Sequence, residues 1–224
     1  MEQTDRVKLL IIKYQASFEL YCKLLQQHNV LYNLTSITER NQIFLKHFED
    51  SLLGENLIAE NASILDIGCG AGFPSIPIAL VREDLTATLL DSVNKKISFV
   101  KLVIEQLALS SRVNAQHIRV EDCKMRESFD CVLTRAVAKL NTLVELSLPF
   151  VKVGGVMLAY KSNDIESELK QSMQAISELG GQLKSVVRCP LQSDIQRKIV
   201  VIQKIAVSNI KYPRGKNLPR VKPL

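Results

Sequence analysis

No apolar run in this 224-residue chain approaches the length of a membrane span. The opening residues, MEQTDRVKLL, carry two acids and lack an apolar core followed by a small-residue cleavage site. The expectation is a cytoplasmic protein with no membrane contact. The five cysteines, Cys22, Cys69, Cys123, Cys131 and Cys189, are odd in number and scattered, with no C-x-x-C pair. That pattern speaks against a zinc site and against a disulfide framework, so no metal is expected. Internal repeats are also missing. Acid is absent from one long stretch, residues 203–224, which hold Lys204, Lys211, Arg214, Lys216, Arg220 and Lys222. These six cations account for the whole net charge of +6, since the chain has 29 basic and 23 acidic residues. Such asymmetry suggests an arm that meets phosphates, with a merely solvated tail as the plainer alternative.

What is present suits one substantial core. Apolar residues make up 46% of the chain, and its length favours one domain with an appendage. Val7, Leu10, Ile11, Tyr14, Phe18, Tyr21, Leu24 and Leu25 recur at three- and four-residue steps, as on one helix face. After a polar break at residues 33–38, Ile43, Phe44, His47, Phe48, Ser51 and Leu52 line one side of a second helical segment. From Ser63 onward, strands predicted at 63–67, 86–91, 113–118, 129–134, 154–160, 182–189 and 197–204 alternate with helices at 74–82, 94–108, 140–150 and 163–179. Alternation of this kind makes a mostly parallel sheet with helices on both faces. The last two strands lack a helix between them and should form an antiparallel hairpin at one edge. The expected layout is a helical extension over 1–60, an α/β domain over 61–206 and a basic tail over 207–224. A monomer is expected, because no helix offers a spare apolar face.

The most specific segment runs Ile64-Leu65-Asp66-Ile67-Gly68-Cys69-Gly70-Ala71-Gly72-Phe73-Pro74. It reads as a buried strand ending in a carboxylate and breaking into a glycine-rich turn. Glycine lets backbone N–H groups approach a ligand, because no Cβ intervenes. A second strand ends at Asp91, 23 residues after Gly68, where an acid can accept both hydroxyls of a ribose. The dinucleotide fingerprint G-x-G-x-x-G/A wants a small sixth residue, and here Phe73 stands there, followed by Pro74 and Pro77. Asp66 also places negative charge where a pyrophosphate would lie. A cation suits it better. S-adenosylmethionine carries an ammonium and a sulfonium and has no phosphate. D-x-G-x-G-x-G is the pattern of Rossmann-like methyltransferases, and the match through Asp66, Gly68, Gly70 and Gly72 is complete. A nicotinamide or flavin cofactor, or a tight turn without a ligand, are the other readings.

Further segments carry a family resemblance. They are Tyr32-Asn33-Leu34-Thr35, His47-Phe48-Glu49-Asp50-Ser51, Gly72-Phe73-Pro74-Ser75-Ile76-Pro77, Leu89-Leu90-Asp91-Ser92, Thr134-Arg135-Ala136-Val137-Ala138, Lys161, Tyr212-Pro213-Arg214 and Pro223-Leu224. Over nearly its whole length the chain resembles the GidB family of bacterial 16S ribosomal RNA guanine-N7 methyltransferases. It departs at Ser75 and Ser162, where the family commonly has glycine, and at Gly215, which comes early. The resemblance implies a Rossmann-like class I S-adenosylmethionine-dependent methyltransferase with a seven-stranded, mostly parallel sheet and an N-terminal helical extension. It implies methylation of N7 of a guanine in 16S rRNA, at guanine 527 in the 530 loop, with the rRNA or small ribosomal subunit as partner. It also implies cofactor binding through Gly68, Phe73, Val120, Glu121 and Arg135.

Guanine N7 carries an in-plane lone pair and no proton, so direct in-line transfer needs no general base and rests on positioning. No catalytic residue is assigned; Arg135 and Lys161 are candidates for positioning. The chain lacks the Asn/Asp-Pro-Pro-aromatic turn of amine methylation after the fourth strand, which reads Leu133-Thr134-Arg135-Ala136, and it has no cysteine there. Asp66 faces the ammonium or caps the next helix. Asp91 accepts the ribose hydroxyls or caps residues 94–108. Val120 packs on the adenine while Glu121 flanks it, by side chain or backbone. Phe73 walls the methionine side or packs beneath the first helix. Lys95, Lys96, Arg119, Lys161 and Arg197 are expected around the cofactor mouth, and Arg214 on the tail, as grips for RNA phosphates. His47 reads as structural, while Tyr32 and Asn33 either meet a splayed base or cap a loop. Two other functions fit less well: an rRNA-binding assembly factor that uses the cofactor structurally, and a methyltransferase acting on another acceptor.

Overall fold

The computed structural model describes residues 3–135, 138–161, 165–191 and 196–224. Ser162 and the first residues of the predicted 163–179 helix lie outside the described residues, as do Ala136 and Val137. The N-terminal apolar stripe is divided between α1 (Gln3–Lys13) and α2 (Gln15–Tyr32), because Tyr14 leaves helical geometry at φ −107° and ψ 25°. The polar break begins where Asn33 turns left-handed, and the Asn29 carboxamide oxygen accepts the N–H groups of Leu34 and Thr35 at 2.7 and 2.9 Å. Next comes α3 (Arg40–Ile43), capped by the Glu39 carboxylate, which accepts from the Asn41 and Gln42 N–H groups. One widened π turn, Phe44–Glu49, then leads into α4 (Asp50–Leu52). The widened turn accompanies a run of six buried residues, Asp50 to Glu55, which a plain amphipathic helix would not bury together.

The sheet comprises β1 (Ser63–Ile67), β2 (Thr86–Asp91), β3 (Val113–His117), β4 (Phe129–Arg135), β5 (Val151–Lys161), β6 (Gly181–Pro190) and β7 (Gln196–Lys204). Its helices are α5 (Ser75–Val81), α6 (Asn94–Gln106), α7 (Leu140–Ser147), α8 (Glu166–Glu178) and, near the C-terminus, α9 (Leu218–Val221). Strand order is β3-β2-β1-β4-β5-β7-β6, and β7 runs antiparallel to both its neighbours, as the missing crossover helix predicts. The predicted helix at 140–150 ends at Ser147 and tightens into a 3₁₀ turn over Leu148–Phe150, where Pro149 removes an N–H. Strand β5 begins three residues earlier than predicted.

Side-chain alternation assigns the two faces. Ile64, Leu133, Leu158 and Ile199 point to the core shared with α1, α2, α5 and α6, so the N-terminal helices and the sheet enclose one apolar cluster. Leu65, Ile67, Val132, Met157 and Val200 point the other way, against α7 and α8. Each such side chain, taken fully out of water, contributes roughly 1.5–3 kcal/mol. Strand order reverses between β1's two neighbours, β2 and β4, and in α/β sheets ligands settle at the carboxyl ends of the strands flanking that point.

The basic tail departs from the picture of a free arm. Arg126 donates to the carbonyls of Ser208, Asn209 and Tyr212, and the Tyr212 hydroxyl donates to Glu178 at 2.9 Å. Lys204, counted with the tail by sequence, sits on β7 with no exposed surface and donates to the carbonyls of Leu148 and Leu179 and to the Ser208 hydroxyl. Burial pulls its pKa down to about 8.

Candidate functional site

Beyond β1 the chain needs three left-handed glycines in five residues: φ is +71° at Gly68, +59° at Gly70 and +99° at Gly72. The turn hangs from β2, with the Gly68 and Cys69 N–H groups donating to the Leu90 carbonyl at 2.8 and 3.0 Å. Asp91 completes the connection. One carboxylate oxygen accepts the Gly70 N–H and the other the Val93 N–H, each at 2.9 Å. Each oxygen keeps a lone pair for a further donor. Beneath the turn, Tyr21 donates to the Ala71 carbonyl and stacks on Phe73 at 5.3 Å, which ties α2 to the loop.

A cleft of about 260 Å³ opens beside this turn. Gly68, Asp91, Val120 and Glu121 line it together, with Ile67, Leu90, Ile118 and Leu146 as aliphatic wall and Lys96, Arg119 and Arg220 as cations. The β1, β2 and β3 ends therefore converge as the motif spacing predicts. The tail's Arg220 and the α7 residue Leu146 escaped the sequence reading, because nothing local marks either one as facing the cleft.

Asp66 lies below the turn rather than in the cleft. It has no exposed surface, accepts the Ser75 N–H at 3.3 Å through one oxygen, and has no hydrogen-bond partner for the other among the described residues. Burial raises its pKa to about 7. Gly70 and Gly72 shape the turn without lining that cleft. Phe73 is buried, lies flat against His47 with ring centroids 4.5 Å apart, and has the Arg135 guanidinium 5.1 Å from its ring centre. Burial and Arg135 together push the His47 pKa down to about 3, so its ring is neutral at physiological pH.

Arg135 belongs to a second cleft, about 370 Å³, formed with Lys46, His47, Asp50, Tyr160, Lys161 and Arg197. Asp50, buried at the π turn, accepts Arg135 at 3.0 Å on one oxygen and Arg197 at 2.8 Å on the other. Lys161 donates to Glu168 at 2.6 Å and to the Ala138 carbonyl at 3.0 Å. Of the cations expected to grip RNA, Lys161, Arg197 and Arg214 thus have carboxylate partners within the chain, Glu145 being that of Arg214. Lys95 and Arg119 are exposed and Lys96 half-exposed, with no acid partner among the described residues. Among those residues there is no cluster of three metal-ligating side chains, and no helix is long and apolar enough to cross a membrane.

A sheet of this order, a glycine turn latched by an acid at the tip of β2, and a cleft beside them define a class I S-adenosylmethionine-dependent methyltransferase. Solved structures share the fold. M. jannaschii TYW2 in complex with AdoMet matches at a TM-score of 0.60 with 15% identity, over 71% of this chain and 76% of that one. B. subtilis tRNA methyltransferase TrmK matches at 0.58 with 11% identity, over 73% and 68%. The chain belongs to the GidB family, whose model, rRNA small subunit methyltransferase G, matches residues 14–200. Relatives carrying the name ribosomal RNA small subunit methyltransferase G include that of Thermoanaerobacter pseudethanolicus, 44% identical over 92% of this chain and 89% of its own. That of Limosilactobacillus reuteri is 42% identical over 92% and 90%.

Proposed function

We propose that the protein methylates N7 of a guanine in small-subunit ribosomal RNA, at guanine 527 in the 530 loop, using S-adenosylmethionine. The observation that carries the reading is the convergence of Gly68, Asp91, Val120 and Glu121 on one cleft, in a chain of this family. The residues fit the cofactor. Asp91 has lone pairs left for ribose hydroxyls, and the aliphatic wall suits an adenine with Glu121 at its edge. The unpartnered Asp66 oxygen is a buried acceptor that costs stability until a donor reaches it, and an ammonium at the turn is such a donor. When bound, S-adenosylmethionine supplies an electrophilic methyl on a sulfonium.

The chain's own work is then to hold the acceptor. Guanine N7 has no proton to lose, and the nearby side chains agree with a reaction that needs no base. His47 is half-buried in its stack with Nε2 hydrogen-bonded to Thr35 Oγ1 at 2.9 Å, and both Asp50 oxygens are held by arginines. Arg135 and Lys161, fixed by Asp50 and Glu168, are candidates to orient the base at near-attack distance. Lys96 and Arg119 in the first cleft, and the neighbouring Lys95, have no acid partner among the described residues and are placed to neutralise phosphates, which makes binding salt-dependent.

The test is transfer of labelled methyl from S-adenosylmethionine to 16S rRNA taken from cells lacking this protein, offered as naked RNA and as small subunits. Cleavage at N7-methylguanine maps the product. One modified guanine in the 530 loop supports the reading. Cofactor binding without methylation of either RNA form would sink it and point to another acceptor.

A further inference from the structure

Arg220 reaches the cleft that holds Gly68, Asp91 and Glu121, although it comes from the fourth-last position before the chain's final residue. Its approach is built rather than incidental. Arg214 forks onto Glu145 of α7, its Nε and Nη2 donating at 2.8 and 2.6 Å, and its backbone N–H reaches the same carboxylate at 2.9 Å. The remaining capacity of that guanidinium closes the tail on itself, with Nη2 donating to the Lys222 carbonyl at 2.8 Å. Thr142, also on α7, donates its hydroxyl to the Pro219 carbonyl at 3.0 Å, immediately before Arg220. Helix α7 therefore carries two anchor points of the tail, Thr142 and Glu145, together with Leu146, which lines the cleft.

We propose that the C-terminal segment closes one side of the adenosine cleft through Arg220 and that Arg220 is a binding residue for the adenosine moiety of the cofactor. This rests on the S-adenosylmethionine reading above. The aliphatic side of the cleft, from Ile67, Leu90, Ile118, Val120 and Leu146, suits one face of a flat heterocycle. A guanidinium is planar, weakly hydrated and stacks on aromatic faces, so it can close over the other face. It also sets positive charge near the two cleft carboxylates, Asp91 and Glu121. An exposed arginine on a basic tail could instead serve RNA phosphates, and the two roles separate experimentally.

The full-length chain and its Arg220→Ala and Arg220→Lys variants are titrated by calorimetry with S-adenosylmethionine and with adenosine, without RNA, and their ligand-free unfolding midpoints are compared. Arg220→Ala should weaken both ligands on the order of tenfold, beyond what any fall in its ligand-free midpoint accounts for. Lysine keeps the charge but not the plane, so Arg220→Lys should fail to restore affinity. Wild-type affinity in Arg220→Ala overturns the inference, including when only the KM for small subunits rises, which would assign Arg220 to RNA. Full restoration by lysine overturns it too, since charge alone would then suffice. A wild-type chain that binds neither ligand removes the cofactor reading itself, an outcome distinct from equal binding by wild type and variant.

Discussion

Arg214 holds the fully buried Glu145 through both carboxylate oxygens, at 2.8 and 2.6 Å, and so ties the C-terminal segment to α7. A basic tail that looks like a solvated arm in sequence becomes part of the folded domain through this pair. Replacing Arg214 by alanine leaves a buried carboxylate without its partner. The expected cost is about 3 kcal/mol, because breaking a buried pair exposes the full desolvation penalty. Urea denaturation of Arg214→Ala checks it, and a change under about 0.5 kcal/mol, the scale of an ordinary surface substitution, would show the pair to be marginal.

The two inner glycines of the turn should respond differently to alanine. At Gly72 a Cβ would lie 2.5 Å from Ile76 Cδ1 and 2.6 Å from the Tyr21 hydroxyl, on a backbone with φ +99°. Gly72→Ala should cost about 2–3 kcal/mol of stability. At Gly70 nothing stands within 4 Å, so Gly70→Ala carries only the left-handed penalty of about 1–2 kcal/mol. Thermal unfolding of the two variants compares the costs, and equal destabilisation would contradict the packing argument.

Asp66 should make stability fall as pH rises. Its folded pKa is near 7, chiefly through burial, against roughly 4 in an unfolded chain. The folded state thus holds a proton that the unfolded state releases, so this contribution is complete below about pH 4 and lost as pH rises through about 7. Asp66→Asn removes the dependence while keeping an acceptor for the Ser75 N–H. Subtracting the variant's denaturation profile from that of wild type between pH 4 and 8 should leave a declining curve. A flat difference would mean that the carboxyl ionises freely in the fold.

His47 acts with the opposite sign. Its folded pKa is near 3, held down by burial and then by Arg135, so the folded chain refuses a proton that the unfolded chain accepts below about 6.5. Stability from this source is lost as pH falls from about 6.5 toward 3. His47→Phe keeps a ring to stack on Phe73 and should flatten that slope. The His47 imidazole signals of the wild type should stay constant in NMR spectra between pH 5 and 8. Titration near 6.5 would place the ring in solvent rather than in the stack.

The local parts of this fold are legible because their signals are short-range. An apolar run ending in Asp66, glycines at 68, 70 and 72, and a second run ending in Asp91 specify strand, turn and strand within a few residues of each determinant. Steric limits on φ and the two-residue alternation of strands act over the same distance. The missing crossover before β7 likewise leaves antiparallel pairing as the short route. By itself, then, the sequence determined the strands, the turn and the chemical character of the cleft.

Tertiary structure alone decided the long-range partnerships. Asp50 meets Arg135 and Arg197 across 85 and 147 residues, and Arg214 meets Glu145 across 69. Whether a cation faces solvent, RNA or a buried carboxylate depends on which elements the topology sets side by side. A charge in sequence has no direction. Lys204 reads as one more basic tail residue until β7 encloses it among carbonyls, and Arg220 until α7 anchors the segment that carries it to the cleft.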